Sequence, residues 1–194
     1  MSLCVVARKR FRRGPAAPGG AGAEFPGRPR SRSLRRMEGP RTATAAALDP
    51  AAERRCRDSF ARQAFVLHLG GTVESLAPGR AALRLPFRPE LAQQHGFFHA
   101  GALSTLADTA AGYAAFTLMP EGAAVLTVEF KLNLLRPARG AAAVARAEVL
   151  KPGRTLVTVR ADVFCVAHDG GEELAAAMLA TMMVVRNRPD VPAG

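Results

Sequence analysis

The run from Val125 to Val185 limits the fold more than any other part of the chain. Val125 to Leu135 alternates, with Leu126, Val128, Phe130, Leu132 and Leu134 on one face and Thr127, Glu129, Lys131 and Asn133 on the other. Period two over that length predicts a half-buried strand. Arg136 to Gly140 then turns the chain into Ala141 to Leu150, and Pro152-Gly153 turns it into Thr155 to Ala167. Asp169-Gly170-Gly171 is a hairpin signal before a last run to Val185. Glu172 to Ala180 is Ala-rich and favours helix by propensity. Three preceding hairpin-linked strands and the β-branched end at Val184 and Val185 favour a fourth strand, and topology is followed here.

A sheet of this kind needs a cover, and the sequence offers one long apolar helix, His99 to Met119, closed by Pro120 and Gly122. Upstream, Pro50 to Leu69 places Cys56, Phe60, Ala64 and Leu67 along one stripe, with Val66 less regular, and Gly70-Gly71 ends it. Two short strands follow, Thr72 to Leu76 and Arg80 to Phe87, joined by Pro78-Gly79, and a loop from Arg88 to Phe98 leads to the long helix. The expectation is an α+β domain over residues 48–188, with an antiparallel sheet wrapped around a central helix and a flexible tail at 189–194.

The net charge of +11 suggests nucleic acid until it is located. Residues 1–37 hold 10 Lys or Arg against Glu24 alone, whereas residues 38–194 hold 17 against 15. The basicity therefore belongs to an extension over residues 1–47, which lacks any packable period and is expected to be disordered. It reads as a transit peptide, as a basic arm, or as upstream sequence before a true start at Met37. The longest apolar stretch, Thr109 to Pro120, falls short of the ~20 residues that span a bilayer. Cys4, Cys56 and Cys165 share no close spacing, which excludes a disulfide framework or a four-ligand zinc site and points to a reducing, cytoplasmic compartment. His68, His95, His99 and His168 form no metal set, and nucleophile-elbow, Walker and dinucleotide-binding fingerprints are absent.

The chemistry gathers around the long helix. Gly101, Thr105, Asp108 and Gly112 fall on one small or polar stripe. A carboxylate inside an apolar helix needs a partner or a task, so Asp108 is a structural hydrogen-bonded acid or a catalytic base or nucleophile. The helix start offers free N–H groups and a positive dipole end, and Ala100 and Gly101 let a substrate oxygen approach. Asp108 lies seven residues beyond Gly101, roughly 10 Å along the axis, whereas one carbonyl carbon must sit about 3 Å from both nucleophile and oxyanion donors. Two antiparallel helices related by a two-fold axis meet both demands. A catalytic site here is a dimer site.

His99-Ala100-Gly101, the acid Asp108 nine residues after the His, and Leu134-Leu135-Arg136-Pro137 together resemble the PaaI-like acyl-CoA thioesterases of the hotdog fold. The resemblance spans about Phe60 to Arg186. It implies a hotdog fold, a homodimer or homotetramer, and hydrolysis of acyl-CoA in fatty acid metabolism without a cofactor, coenzyme A being part of the substrate. It implies Asp108 as general base or nucleophile, His99 as the residue orienting the helix start, and the Ala100 N–H as the group polarising the thioester carbonyl. Ala100 stands where the family has Gly, and its methyl narrows the entrance. Gln93 falls where relatives often have an Asn that holds water, and Thr127 near a water-positioning Ser or Thr. The phrase from His95 to Gly101 looks most like the medium- and long-chain subgroup.

Competing roles stay open for several residues. His95 is an added site residue or a turn residue. Phe97 and Phe98 line an acyl tunnel or plug the core. Lys151 and Arg154 meet the phosphates of coenzyme A or are solvated hairpin charges, and Glu129 and Asp162 read as strand-surface charges. The alternatives to hydrolysis are a hotdog enoyl-CoA hydratase, a non-catalytic acyl-CoA-binding module and a nucleic-acid binder working through the tail.

Overall fold

The computed structural model describes residues 47–186. The basic extension before Ala47, with Met37 and Cys4, and the end of the chain after Arg186 lie outside the described residues. The chain enters helix α1 (Pro50–Phe60), whose Asp49 cap accepts the Ala52 N–H at 3.1 Å with Pro50 in the first turn. Helix α2 (Ala64–Leu69) follows and stops at Gly70, which has φ 87°. The single helix expected over Pro50 to Leu69 is thus two helices. Arg62 and Gln63 close tight turns onto the Ser59 and Phe60 carbonyls, at 3.0 and 2.9 Å. The off-stripe position of Val66 was the trace of this break. A straight helix could not bury Phe60 and Val66 together, and here both are buried.

Strands β1 (Thr72–Ala77) and β2 (Arg80–Pro86) form a hairpin, and helix α3 (Ala100–Phe116) precedes β3 (Ala124–Leu134), β4 (Ala142–Lys151), β5 (Leu156–Val166) and β6 (Glu172–Val185). One six-stranded sheet runs β1-β2-β4-β5-β6-β3, antiparallel at every pairing. Strand β6 overrides its helical propensity because it lies between β5 and β3, with both ladders satisfied and Ala176, Met178, Ala180 and Met182 buried. Helix α3 lies on the inner face. Leu103, Leu106, Ala107, Ala110 and Ala114 meet a wall that includes Leu83, Ala145, Val159 and Val163, all essentially without exposure. Truncating Leu106 to Ala there costs about 2–5 kcal/mol.

Strand β3 departs from its sequence pattern. Thr127 pairs with Met182, but Glu129 pairs with Thr181, so Val128 is an extra residue in a β-bulge. One inserted residue reverses the faces. Thr127 therefore looks inward with Met182, and so do Phe130, Leu132 and Leu134, opposite Ala180, Met178 and Ala176. Leu126, Glu129, Lys131 and Asn133 look outward. The expectation that Thr127 sits on a polar face is corrected: the bulge turns it toward α3.

Candidate active site

The half-buried stripe of α3 faces the inner side of β3. Asp108 accepts a hydrogen bond from Thr127 Oγ1 at 2.8 Å, and that hydroxyl also lies 3.5 Å from Met182 Sδ. Burial pushes the Asp108 carboxyl above its ordinary range, while the bond from Thr127 pulls it back down. The crevice beside the pair is roomy, since a Cβ added at Gly112 would meet nothing within 4 Å. Phe130 and Leu134, on the inner face of β3, remain 42% and 54% exposed. A base whose carboxyl is shifted toward neutrality, with a hydroxyl to orient it and an open apolar flank, can activate water against a bound carbonyl.

The helix start is built differently from its expectation. His99 is the N-cap, and its Nδ1 accepts the Gly101 N–H at 2.9 Å. That N–H is spent on the imidazole and is not an oxyanion donor. A Cβ there would stand 3.0 Å from the same Nδ1, so glycine spares the imidazole a shift of a few tenths of an ångström. The expected role of Gly101, room for a substrate oxygen, becomes room for His99. The Ala100 N–H, first of the helix, has no intrahelical partner and lies at the positive end of the dipole.

Gln93 and His95 belong to a small loop closed by a bridge between Ala92 and Phe98. The Gln93 side-chain oxygen accepts the His95 N–H, and the Gln93 N–H donates to the Phe97 carbonyl at 2.8 Å. The amide expected to hold water is turned into its own loop. His95 stays exposed at the loop tip, beside Gly96 with φ 79°. Of the two phenylalanines, Phe98 is the core plug, 3% exposed and edge-on to Phe87 at 5.0 Å, so its expected contact with substrate is corrected. Phe97 is half-buried under the Arg139 guanidinium, 4.3 Å from the ring centroid.

Lys151 and Arg154 lie at the β4–β5 hairpin. Arg154 and Arg186 line a cleft of about 120 Å³ with Leu118, Pro120 and Val184, at the C-terminal end of α3. The helix has 17 residues, so roughly 25 Å separates this cleft from His99 of the same chain. Within one chain the expected site therefore falls into three places: the helix start, the Asp108–Thr127 pair and the distal hairpin. Among the described residues no three His, Cys, Asp or Glu side chains converge as a metal site. Sequence reasoning missed the exposed inner flank of Phe130 and Leu134 and the Arg139–Phe97 stack. The first was hidden because alternation marks an apolar face without showing that it stays uncovered. The second joins residues 42 positions apart, which no spacing rule connects.

A six-stranded antiparallel sheet laid around one long helix is the hotdog architecture. Residues 95–170 match the model of the thioesterase superfamily. A thioesterase family protein from Silicibacter pomeroyi is 51% identical and covers 70% of this chain and 98% of its own, with a TM-score of 0.68. A mutant of the phenylacetic acid degradation protein PaaI from Thermus thermophilus is 31% identical over 62% of this chain and 98% of its own, at 0.54. A candidate esterase of Halobacterium salinarum is 34% identical over 110 residues, 54% of this chain and 72% of that relative. The chain belongs to the thioesterase superfamily, among its PaaI-like hotdog members, and is a thioester hydrolase.

Proposed function

We propose that the protein hydrolyses acyl-CoA thioesters of medium or long chain, without a cofactor, in a homodimer whose sites each take residues from both chains. The observation that carries this reading is the Asp108–Thr127 pair, bonded at 2.8 Å on an open crevice of α3. Asp108 takes the proton of an attacking water, or attacks the carbonyl itself to form an acyl anhydride that water then hydrolyses to the free acid. The Ala100 N–H of the facing copy, at the positive end of its helix, holds the oxygen that becomes negative. The tetrahedral intermediate then expels coenzyme A as a thiolate, a good leaving group that asks little of a general acid. His99 fixes the helix start rather than touching the reacting atoms. Lys151 and Arg154 are suited to the phosphates of the departing coenzyme A, and Phe130 and Leu134 offer an apolar wall to the acyl chain. The buried Cys165 thiol, its pKa pushed up to about 11 by burial, suits a reducing cytoplasm.

Strand β3 supports the dimer. It is a sheet edge, and every residue from Leu126 to Thr127 and on to Phe130 and Lys131 is exposed. Antiparallel pairing of β3 with its copy across a two-fold axis doubles the sheet. It also sets the two α3 helices side by side in opposite directions, with Asp108 of one beside the start of the other. Asp108→Asn tests the chemistry: thiol release from acyl-CoA should fall at least about a hundredfold with the fold and chain association unchanged. Turnover within threefold of the parent would remove Asp108 from the reaction. Loss of enoyl absorbance without thiol release would favour the hydratase.

A further inference from the structure

The bond from Thr127 occupies only one side of the Asp108 carboxyl. Thr127 donates to Oδ1, and among the described residues nothing donates to Oδ2. Side chains on a helix lean toward its N-terminus, so this carboxyl lies over the turn that holds Ser104 and Thr105. Hydroxyls beside a carboxylate ordinarily donate to it. Here neither does: Ser104 Oγ donates to the Ala100 carbonyl and Thr105 Oγ1 to the Gly101 carbonyl, each at 2.9 Å. Thr109 Oγ1, one residue past Asp108, donates likewise to the Thr105 carbonyl at 2.7 Å. A hydroxyl has one hydrogen, so each of these oxygens has only lone pairs left to offer. Such bonds to the carbonyl four residues back do not stabilise a helix. Along this stripe α3 therefore presents acceptors without donors.

The three hydroxyls differ in where they stand. At 100° per residue, Thr105 lies about 60° round the helix from Asp108, on the same side as Gly112. That side is open, since a Cβ on Gly112 would meet nothing within 4 Å. Ser104 lies about 40° round the other way, toward the fully buried Ala111, and Thr109 about 100° away. Residues three apart on a helix have Cβ atoms about 5–6 Å apart. One water between Asp108 and Thr105 can donate a hydrogen to each.

We infer that Thr105 positions the attacking water: its Oγ1 accepts one hydrogen while Asp108 Oδ2 accepts the other. This rests on the reading of Asp108 given above, and it selects attack by water over attack by the carboxylate. With both hydrogens held against α3, a lone pair of the water faces the open crevice. As that oxygen bonds to the thioester carbon, its proton on the Asp108 side passes to Oδ2, and the other stays on the new hydroxyl. The C–S bond then breaks, and the proton on Asp108 passes to the departing sulfur, leaving free acid, thiol and an ionised Asp108. The Gln93 amide, expected to hold this water, accepts the His95 N–H instead, so the second anchor comes from α3.

The test is steady-state thiol release from decanoyl-CoA and palmitoyl-CoA by the full chain and by Thr105→Val, Thr105→Ala, Thr105→Ser, Ser104→Ala and Asp108→Asn. Thr105→Val and Thr105→Ala lose the acceptor, and kcat should fall about tenfold with KM within about twofold, the effect of one hydrogen bond to the reacting water. Thr105→Ser keeps the hydroxyl and should restore kcat to within about twofold of the parent. Ser104→Ala removes a helix bond of the same kind and should leave kcat and KM within about twofold. Parental kcat in Thr105→Val and Thr105→Ala beside an inactive Asp108→Asn would overturn the role of Thr105 and leave Asp108 standing. Equal losses in Ser104→Ala, or no recovery in Thr105→Ser, would make Thr105 a packing residue and overturn the inference. An active Asp108→Asn, or a parent that releases no thiol from either thioester, would overturn the reading of Asp108 and this role with it.

Discussion

The sheet has two edges, and they are made by opposite rules. Strand β1 has six residues, carries a bulge between Val73 and Ser75, shows Glu74 bound to Arg84 at 3.0 Å and runs out at Pro78. These are the devices by which an edge refuses another strand. Strand β3 has 11 residues and shows Leu126, Val128, Phe130 and Leu134 at 42 to 54% exposure. A long apolar edge left open beside one that is closed cannot be an oversight of composition, since both lie in the same sheet. The open edge is also the one that carries Thr127 to Asp108. Edge and Asp108, the acid proposed to act on the thioester, are joined by one strand, so association and activity should rise and fall together at β3 and be independent at β1.

That coupling can be broken directly, and the largest effect belongs here. Phe130→Glu with Leu134→Glu places two charges where the facing copy should lie. The expected outcome is loss of dimer mass and a fall in turnover of about a hundredfold or more, because each Asp108 then lacks the facing Ala100 N–H. Thr72→Glu with Ser75→Glu adds the same two charges to exposed positions of β1 and should leave mass and turnover within about twofold. Equal sensitivity at both edges would end the distinction.

Subunit mixing sharpens the same point with a smaller signal. Asp108→Asn in one chain and Gly101→Leu in another should each be nearly inactive, the second because its side chain displaces His99 from the helix start. In the proposed dimer each site draws its acid from one chain and its helix start from the other, so a heterodimer would hold one site with both lesions and one with neither. Random exchange makes about half the dimers hetero, and roughly a quarter of parental activity should return. Verified exchange with no recovery would place the whole site within one chain.

The bond at the bulge governs a third, subtler readout. Burial raises the Asp108 pKa and the Thr127 hydroxyl lowers it. The proposed reaction needs the ionised acid, so turnover should rise with pH through that pKa. Thr127→Ala removes the group that favours ionisation, and the acidic limb of the kcat profile should move to higher pH. A lower plateau with an unmoved limb would make Thr127 a packing residue only.

The sequence shows the edge far better than it shows the site. The alternation from Leu126 to Leu134 announces a strand, the hairpin signals order its successors, and the resemblance carried by His99, Asp108 and Arg136-Pro137 supplies the fold. What sequence could not show is phase. Val128 is an ordinary β-branched residue, yet as the bulge it transfers Thr127 from the polar face to the inner one, beside Asp108. Gly101 was legible as a small residue at a helix start, but its use, making room for the His99 cap, depends on a side-chain rotamer. Gln93 stands where relatives often have Asn, and its amide oxygen turns into its own loop to accept the His95 N–H. Periodicity reports which residues share a face only while the register is unbroken.

The smallest expected effect concerns the basic extension, and it asks whether something other than a second copy covers an edge. A chain beginning at Met37 loses 10 basic residues against Glu24 and none of the described residues. The ordered domain has its own start: Leu48 is buried, Asp49 caps α1 and Pro50 opens it. If the open edge of β3 is covered by its copy, truncation should leave mass, thiol release and melting temperature unchanged, the last within about 1 °C, since every described element is kept. Affinity for any polyanion should fall with the lost charge, which separates binding through the tail from the reaction. A marked drop in melting temperature with dissociation into single chains would mean that the extension helps to close β3. The contrast between the two edges would then describe a strand awaiting its own tail rather than its twin.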